Sequence, residues 1–113
     1  MTLPFSEFID KNGFIFVSGQ VPLNGGGEMI EGTIDEKTHQ VMKNLQKVLE
    51  SAGVSFDNVV KTTIFLTDIE DAGKVNTIYA SYFNGAYPAR ETICVKALPL
   101  NSVIEISMIA AKN

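Results

Sequence analysis

Apolar runs separated by turn-forming residues mark the first part of the chain as a β-hairpin. The β-rich run Phe14–Val17 follows Asn12-Gly13 and ends at Ser18-Gly19, so its partner strand is predicted at about Phe5 to Asp10. The segment Asn24–Gly27 is glycine-rich, but no Lys-Ser or Lys-Thr pair follows it. It therefore predicts a flexible surface turn and not a phosphate-binding loop.

A helical period of apolar residues takes over near residue 35. Thr33 and Glu36 have the spacing of a capping box, and Gly53 supplies a left-handed stop, so a helix is predicted from about Asp35 to Ala52. The apolar positions that recur every three or four residues within it are Val41, Leu45, Val48, Leu49 and Ala52.

Strand and helix then alternate to the end of the chain. The β-branched and aromatic run Val59–Leu66 predicts a third strand. A second capping-box pattern at Thr67–Glu70 predicts a helix that ends before Asn84-Gly85. Two more strands are expected at about Glu91 to Ala97 and Val103 to Ala110.

The predicted order ββαβαββ is that of an α+β protein, and 113 residues suffice for one core, so residues 1–113 are expected to form a single domain. Two helices cover only one face of a sheet, and strand alternation indicates which side chains they cover. The expected covered sets are Val60, Ile64 and Leu66 in the third strand, Ile93, Val95 and Ala97 in the fourth, and Ile104, Ile106 and Met108 in the fifth.

The other sheet face would stay open, with apolar residues beside polar ones of the types that bind carboxylates and activate water. A partly apolar open face is usually a contact surface, which predicts self-association. The residues expected there are the apolar Phe65, Val103 and Ile109 and the polar Lys61, Arg90, Thr92 and Glu105.

Charge and composition narrow the class of protein. Nine basic against thirteen acidic residues give a net charge of −4, the wrong sign for a polyanion, so nucleic acid is not expected as a partner. No apolar run reaches the ~20 residues that span a bilayer, so no membrane association is expected. The stretch Met1–Phe5 shows no secretory signal, which predicts a cytoplasmic protein.

The few reactive side chains argue against a metal centre. A single cysteine, Cys94, and a single histidine, His39, cannot form an internal disulfide or a zinc cluster, so no metal or other cofactor is expected. Cys94 has no base nearby in sequence and is interpreted as a packing residue, and His39 as a solvated residue of the first helix. For Lys61 a salt bridge is the more natural role than a Schiff base.

Five short stretches carry a resemblance to a known family. They are Phe16–Pro22, Val59–Leu66, Tyr87–Thr92, Ala97–Pro99 and Val103–Ile106. In this order, without a large insertion, they resemble the RidA or YjgF family of reactive intermediate deaminases. The resemblance implies a chorismate-mutase-like fold and a homotrimer whose sheets line a central barrel, with three sites in the clefts between subunits.

The same resemblance implies an activity. Members of this type hydrolyse 2-aminoacrylate and 2-aminocrotonate, the enamine or imine products of pyridoxal-phosphate dehydratases, to 2-oxo acids and ammonia without a cofactor. The implied ligand is a small 2-imino or 2-oxo carboxylic acid.

Carried over onto this sequence, the resemblance assigns Arg90 to the substrate carboxylate, which a planar guanidinium can bind with two donors. Glu105 would orient or activate the hydrolytic water. The backbone at Thr92, which replaces a frequent cysteine, would contact the nitrogen end of the substrate or the water. Ser18 and Asn76 would line the pocket.

Phe5 stands where many family members have a tyrosine. A hydroxyl contact would therefore be missing there while the hydrophobic wall remains.

Two other functions stay open. A regulatory trimer could hold a 2-oxo acid in the same cleft without turnover, although such a binder has no evident use for Glu105. Some proteins of this family are described as translation inhibitors that cut RNA. The net charge of −4 and the lack of a histidine pair argue against that activity.

Overall fold

The hairpin forms because both residues of its loop adopt the positive φ that a two-residue turn of type I′ requires, 54° at Asn12 and 85° at Gly13. In the computed structural model, which describes residues 3–113, it joins β1 (Phe8–Lys11) to β2 (Phe14–Gln20). The predicted hairpin is confirmed, with β1 starting three residues later and β2 ending three residues later than expected. Met1 and Thr2, which belong to the predicted domain and to the stretch searched for a secretory signal, lie outside the described residues.

The first helix, α1 (Ile34–Ser51), confirms the prediction. The Thr33 hydroxyl accepts a hydrogen bond from the Glu36 backbone N–H at 3.2 Å, and the Glu36 carboxylate accepts one from the Thr33 backbone N–H at 2.9 Å. This capping box satisfies donors that the first helical turn leaves unpaired. Gly53, with φ of 82°, follows the end of the helix as expected.

The second helix, α2 (Ala72–Ala80), starts later than its capping pattern predicts. Thr67 does not cap it, because the Thr67 backbone N–H donates to the Val103 carbonyl at 3.2 Å and so extends the sheet. Asp68 instead accepts from the Glu70 backbone N–H at 3.0 Å and caps a short 3-10 turn that leads into α2.

The five strands form one mixed sheet in the order β1-β2-β5-β3-β4. The third strand, β3 (Val59–Leu66), runs parallel to β4 (Ala89–Cys94) and antiparallel to β5 (Ile104–Ala111). The helices cover one face of this sheet, which confirms the predicted α+β architecture. β4 begins two residues earlier and ends three residues earlier than predicted, so Val95 and Ala97 lie beyond the strand.

The predicted faces hold for β5 and for most of β3, because Ile64, Leu66, Ile104, Ile106 and Met108 are all buried beneath the helices. Val60 is an exception. The pairing of β3 with β5 shifts register between Val59 and Lys61, and this irregularity turns Val59 into the core and leaves Val60 44% exposed.

In β4 the predicted faces are reversed. Arg90 pairs with Thr62 and Thr92 with Ile64, and both β3 residues are fully buried on the helix side. Side chains of paired residues point to the same face, so Arg90 and Thr92 lie on the helix side and not on the open face. Ile93, expected in the core, is 40% exposed.

The open face carries more apolar surface than predicted. Val103 does not contribute, because it packs against the core, whereas β1 and β2 add exposed aromatic and branched side chains. By strand register, the apolar residues on this face are Ile9, Phe14, Phe16, Phe65, Ile93 and Ile109.

Candidate active site

Arg90 lies at the start of β4 and reaches across to α2. Its Nη2 donates a hydrogen bond of 2.6 Å to Oδ1 of Asn76, and its Cζ lies 5.0 Å from the centroid of the Tyr79 ring. Two of the predicted site residues, Arg90 and Asn76, are therefore in direct contact. The contact depends on the parallel pairing of β3 and β4, which turns Arg90 towards the helix layer.

The charge of Arg90 is not neutralised within the described chain. Between residues 3 and 113 the ion pairs are Lys61–Glu91 at 2.7 Å and Lys112–Asp10 at 3.0 Å. Arg90 faces a hollow of about 340 Å³, whose other lining residues are Asn76, Tyr79, Ala80, Tyr87 and Pro88. An unpaired guanidinium in a partly aromatic hollow is suited to a small organic anion.

Thr92 lies two residues beyond Arg90 on the same side of β4. Its Oγ1 is buried and has no hydrogen-bond partner among residues 3–113. Thr92 is not among the residues that line the hollow, and the role of its backbone stays a prediction. β4 is an edge strand, so one side of that backbone has no strand partner.

Glu105 lies on the opposite face of the sheet from Arg90. It pairs with Phe65, whose side chain points away from the helices. The Glu105 carboxyl lies over Gly19 of β2, where a Cβ atom would overlap Oε2 and would be 2.8 Å from Cδ. Burial raises the pKa of this carboxyl above its ordinary value.

Ser18 is tied to the segment that precedes β1. Its hydroxyl donates to the Ser6 carbonyl at 2.6 Å, and its backbone N–H donates to the Glu7 carbonyl at 2.9 Å. Phe5, directly before this segment, is 64% exposed. The structure thus places Ser18 next to Gly19, on the Glu105 side of the molecule, and leaves the Phe5 ring free at the surface.

The predicted site residues consequently fall into two half-sites. The Arg90 half-site contains Asn76, Arg90 and Thr92 beside α2, and the Glu105 half-site contains Ser18 and Glu105 at β2 and β5. β3 lies between β4 and β5, so these two strands are roughly 10 Å apart. The two half-sites also use opposite faces of the sheet. The prediction that Arg90, Thr92 and Glu105 share one face is wrong.

Three further side chains, those of Cys94, His39 and Lys61, lie outside the two half-sites. Cys94 is exposed, with Sγ 3.8 Å from the Thr67 carbonyl, so its assignment as a packing residue is wrong. His39 is half-buried, and its Nδ1 lies 2.9 Å from the Tyr82 hydroxyl, so it is not simply solvated. The predicted salt bridge of Lys61 is confirmed, with Glu91 as its partner.

Three residues beside the half-sites received no role from the sequence. Tyr79 and Tyr87 line the hollow at Arg90, and Gly19 underlies Glu105. A signal existed for Tyr79, which is three residues after Asn76 and so shares its helix face. For Gly19 the signal is a glycine inside a β-strand, which marks a close approach.

Within residues 3–113, no three His, Cys, Asp or Glu side chains are grouped as metal ligands would be. None of the helices in that range is long and apolar enough to cross a membrane.

Comparison with known proteins agrees with this fold. The family model described as Endoribonuclease L-PSP matches residues 1–112. The chain therefore belongs to this family, the RidA or YjgF family.

Relatives within the family carry different names. The 2-iminobutanoate/2-iminopropanoate deaminase of Mus musculus is 44% identical over 97% of this chain and 82% of its own length. A Lactococcus lactis protein named as the regulator AldR is 46% identical over 95% of this chain and 86% of its own length. A crystal structure of the Rid-family protein YyfA from Yersinia pestis superposes with a TM-score of 0.95 at 45% identity, covering 98% of this chain and 90% of that one.

Proposed function

We propose that this chain hydrolyses the C=N bond of small 2-imino acids, such as those formed from 2-aminoacrylate and 2-aminocrotonate, to 2-oxo acids and ammonia. The observation that carries the proposal is the Arg90 guanidinium, which faces a hollow without an acidic partner in residues 3–113. The deaminase name of relatives at 44% identity supports the same activity.

The substrate carboxylate would bind the guanidinium through two hydrogen bonds. Arg90 has five N–H donors, and Asn76 accepts from only one of its nitrogens, so donors remain for a carboxylate. Bidentate binding fixes the plane of the 2-imino acid and presents one face of its C=N carbon to water.

Glu105 would act on that water. The carboxylate accepts one proton of the water while its oxygen bonds to the imine carbon, and Glu105 passes that proton to the nitrogen, which becomes the amine of a carbinolamine. On collapse, Glu105 takes the hydroxyl proton and delivers it to the nitrogen, so the C=O bond forms, the C–N bond breaks and ammonia leaves. Burial raises the pKa of the Glu105 carboxyl towards neutral pH, which suits a group that both accepts and returns a proton.

The two half-sites cannot act together within one chain, because they lie on opposite faces of the sheet. We therefore propose that each active site combines the Arg90 half-site of one copy with the Glu105 half-site of another, in a homotrimer. The apolar open face supports this association, since Phe14, Phe16 and Ile9 are exposed on it in the single chain.

The test adds the protein to a pyridoxal-phosphate dehydratase acting on serine or threonine, and follows the appearance of 2-oxo acid. The wild type should speed this step. Arg90→Lys keeps the charge but loses the forked geometry, so kcat/KM should fall by about one to two decades. Equal rates with wild type, Arg90→Ala and no added protein would contradict the proposal.

A regulatory binder is the second candidate, because one relative carries a regulator's name. Calorimetry with 2-oxobutyrate on the same preparations separates the two. Binding that depends on Arg90, without faster release of 2-oxo acid from the dehydratase products, would make the chain a 2-oxo-acid binder and not an enzyme.

A further inference from the structure

The ring of Tyr79 is held firmly beneath Arg90. Tyr79 is only 3% exposed, and its hydroxyl donates a 2.9 Å hydrogen bond to Oγ1 of Thr62, which is fully buried in β3. The Phe83 ring packs against it at a centroid distance of 4.8 Å. These contacts leave the Tyr79 ring little freedom to rotate or shift.

The position of the guanidinium over this ring is that of a cation–π contact. Its Cζ lies 5.0 Å from the ring centroid, within the roughly 6 Å over which the negative face of an aromatic ring attracts a cation. The other contact of Arg90, the Asn76 amide oxygen, is also neutral. A carboxylate at either place would hold Arg90 equally well but would cancel its charge.

We infer that Tyr79 is a positioning residue, which holds the Arg90 guanidinium against its ring face and leaves the positive charge free for the substrate carboxylate. The inference rests on the proposed function for the identity of that carboxylate. The placement of Arg90 by Tyr79 is independent of the proposed function. The role assigned to Tyr79 is the placement of Arg90, and no part in the chemical step is assigned to it.

Placement can be measured without a ligand, because Arg90 is the only arginine in the chain. In protein labelled with ¹⁵N arginine, the Nε–Hε cross-peak therefore reports on Arg90 alone. A guanidinium over an aromatic ring is shifted upfield by the ring current. The wild type should show an upfield peak, and Tyr79→Leu should move it to the position of a free arginine.

The control for core damage is Phe56→Leu. Phe56 is a buried aromatic residue of the same cluster, with its ring near Tyr82 and Phe83 and not near Tyr79. Both leucine variants lose a buried ring and should melt at lower temperature, but only Tyr79→Leu removes the ring beneath Arg90. Tyr79→Phe keeps that ring, so it should restore the cross-peak, while loss of the bond to Thr62 should lower Tm by about 4–8 °C.

Affinity for 2-oxobutyrate, measured by calorimetry, is the second readout. Tyr79→Leu should weaken it about 2- to 30-fold, the range expected for loss of a cation–π contact. Phe56→Leu should not share this loss, and Tyr79→Phe should recover most of it.

The outcomes separate the two proposals. An Arg90 cross-peak and an affinity that are the same in Tyr79→Leu as in Phe56→Leu would overturn the positioning role. A wild type that binds no 2-oxobutyrate, with a cross-peak that still moves in Tyr79→Leu, would overturn the proposed function and leave Tyr79 as the residue that places Arg90.

Discussion

At the scale of single residues, Gly19 determines where the Glu105 carboxylate lies. A methyl group at position 19 would overlap Oε2 of Glu105, so Gly19→Ala should push the carboxyl off β2. Misplacement of a catalytic group by about 1 Å costs about 10²-fold in rate. We expect kcat to fall by up to about 10²-fold, while affinity for 2-oxobutyrate at Arg90 changes little.

Gly73→Ala is the matched control, since an added methyl there meets nothing within 4 Å. Steady-state kinetics and calorimetry on both variants decide the matter. Gly19→Ala with the kcat of Gly73→Ala would show that the position of Glu105 over Gly19 has no bearing on turnover.

Glu105 connects stability to pH. Because burial raises its pKa in the folded chain above the ordinary carboxyl value near 4.3, its contribution to stability is complete below that ordinary value and is lost as pH rises through the folded pKa. Glu105→Gln cannot ionise. At pH 7 it should therefore have the higher Tm, and the difference should disappear below about pH 4.

On the proposed role of Glu105 as general base, turnover of Glu105→Gln should fall about 10²–10⁴-fold. Thermal scans from pH 3.5 to 7.5 and assays on one preparation give both results. A Tm at pH 7 that falls below that of the wild type would instead identify Glu105 as the partner of a cation across a subunit interface.

At the scale of elements, prediction from sequence succeeded where burial sets the pattern. α1 has a capping box, an apolar stripe and a glycine stop that agree with one another, and the alternation of β5 places Ile104, Ile106 and Met108 in the core. It failed in β4, where Thr92 faces the helices and Ile93 is exposed. β4 is an edge strand, and there polarity is a poor guide to the face.

The candidate site was predicted only in part, because the faces of β4 were predicted wrongly. Asn76 and Arg90 were named from the family resemblance, and the structure brings them into contact. The separation of Arg90 from Glu105 depends on the pairing of β4 with β3 through Thr62, which strand alternation alone does not reveal.

Thr92 provides a prediction about β4. Its Oγ1 is buried without a partner in residues 3–113, so Thr92→Val replaces an unsatisfied hydroxyl by a methyl group of similar shape. The free energy of unfolding should rise by about 1–3 kcal/mol, as urea denaturation would measure. A decrease would show that the hydroxyl finds a partner in the assembled protein.

At the scale of the whole molecule, the proposal requires active sites shared between copies. Light scattering at micromolar concentration should give the mass of a trimer, and a monomer mass would contradict it. Mixing Arg90→Ala with Glu105→Gln by co-refolding should restore activity, because each chain supplies the group that the other lacks. Random equal mixing should give about one quarter of wild-type activity.

Separate refolding of each variant is the control, and both should stay inactive. If the mixture is as inactive as its components while the trimers are intact, Arg90 and Glu105 do not come from neighbouring chains.

The placement of the half-sites on opposite faces of one sheet would also make the proposed catalysis sensitive to protein concentration. A dissociated chain would be folded but catalytically inactive, so specific activity should rise with protein concentration until assembly is complete. At low expression, activity in the cell would then grow more steeply than the number of chains. Dilution alone would switch the activity off without unfolding or modifying any chain.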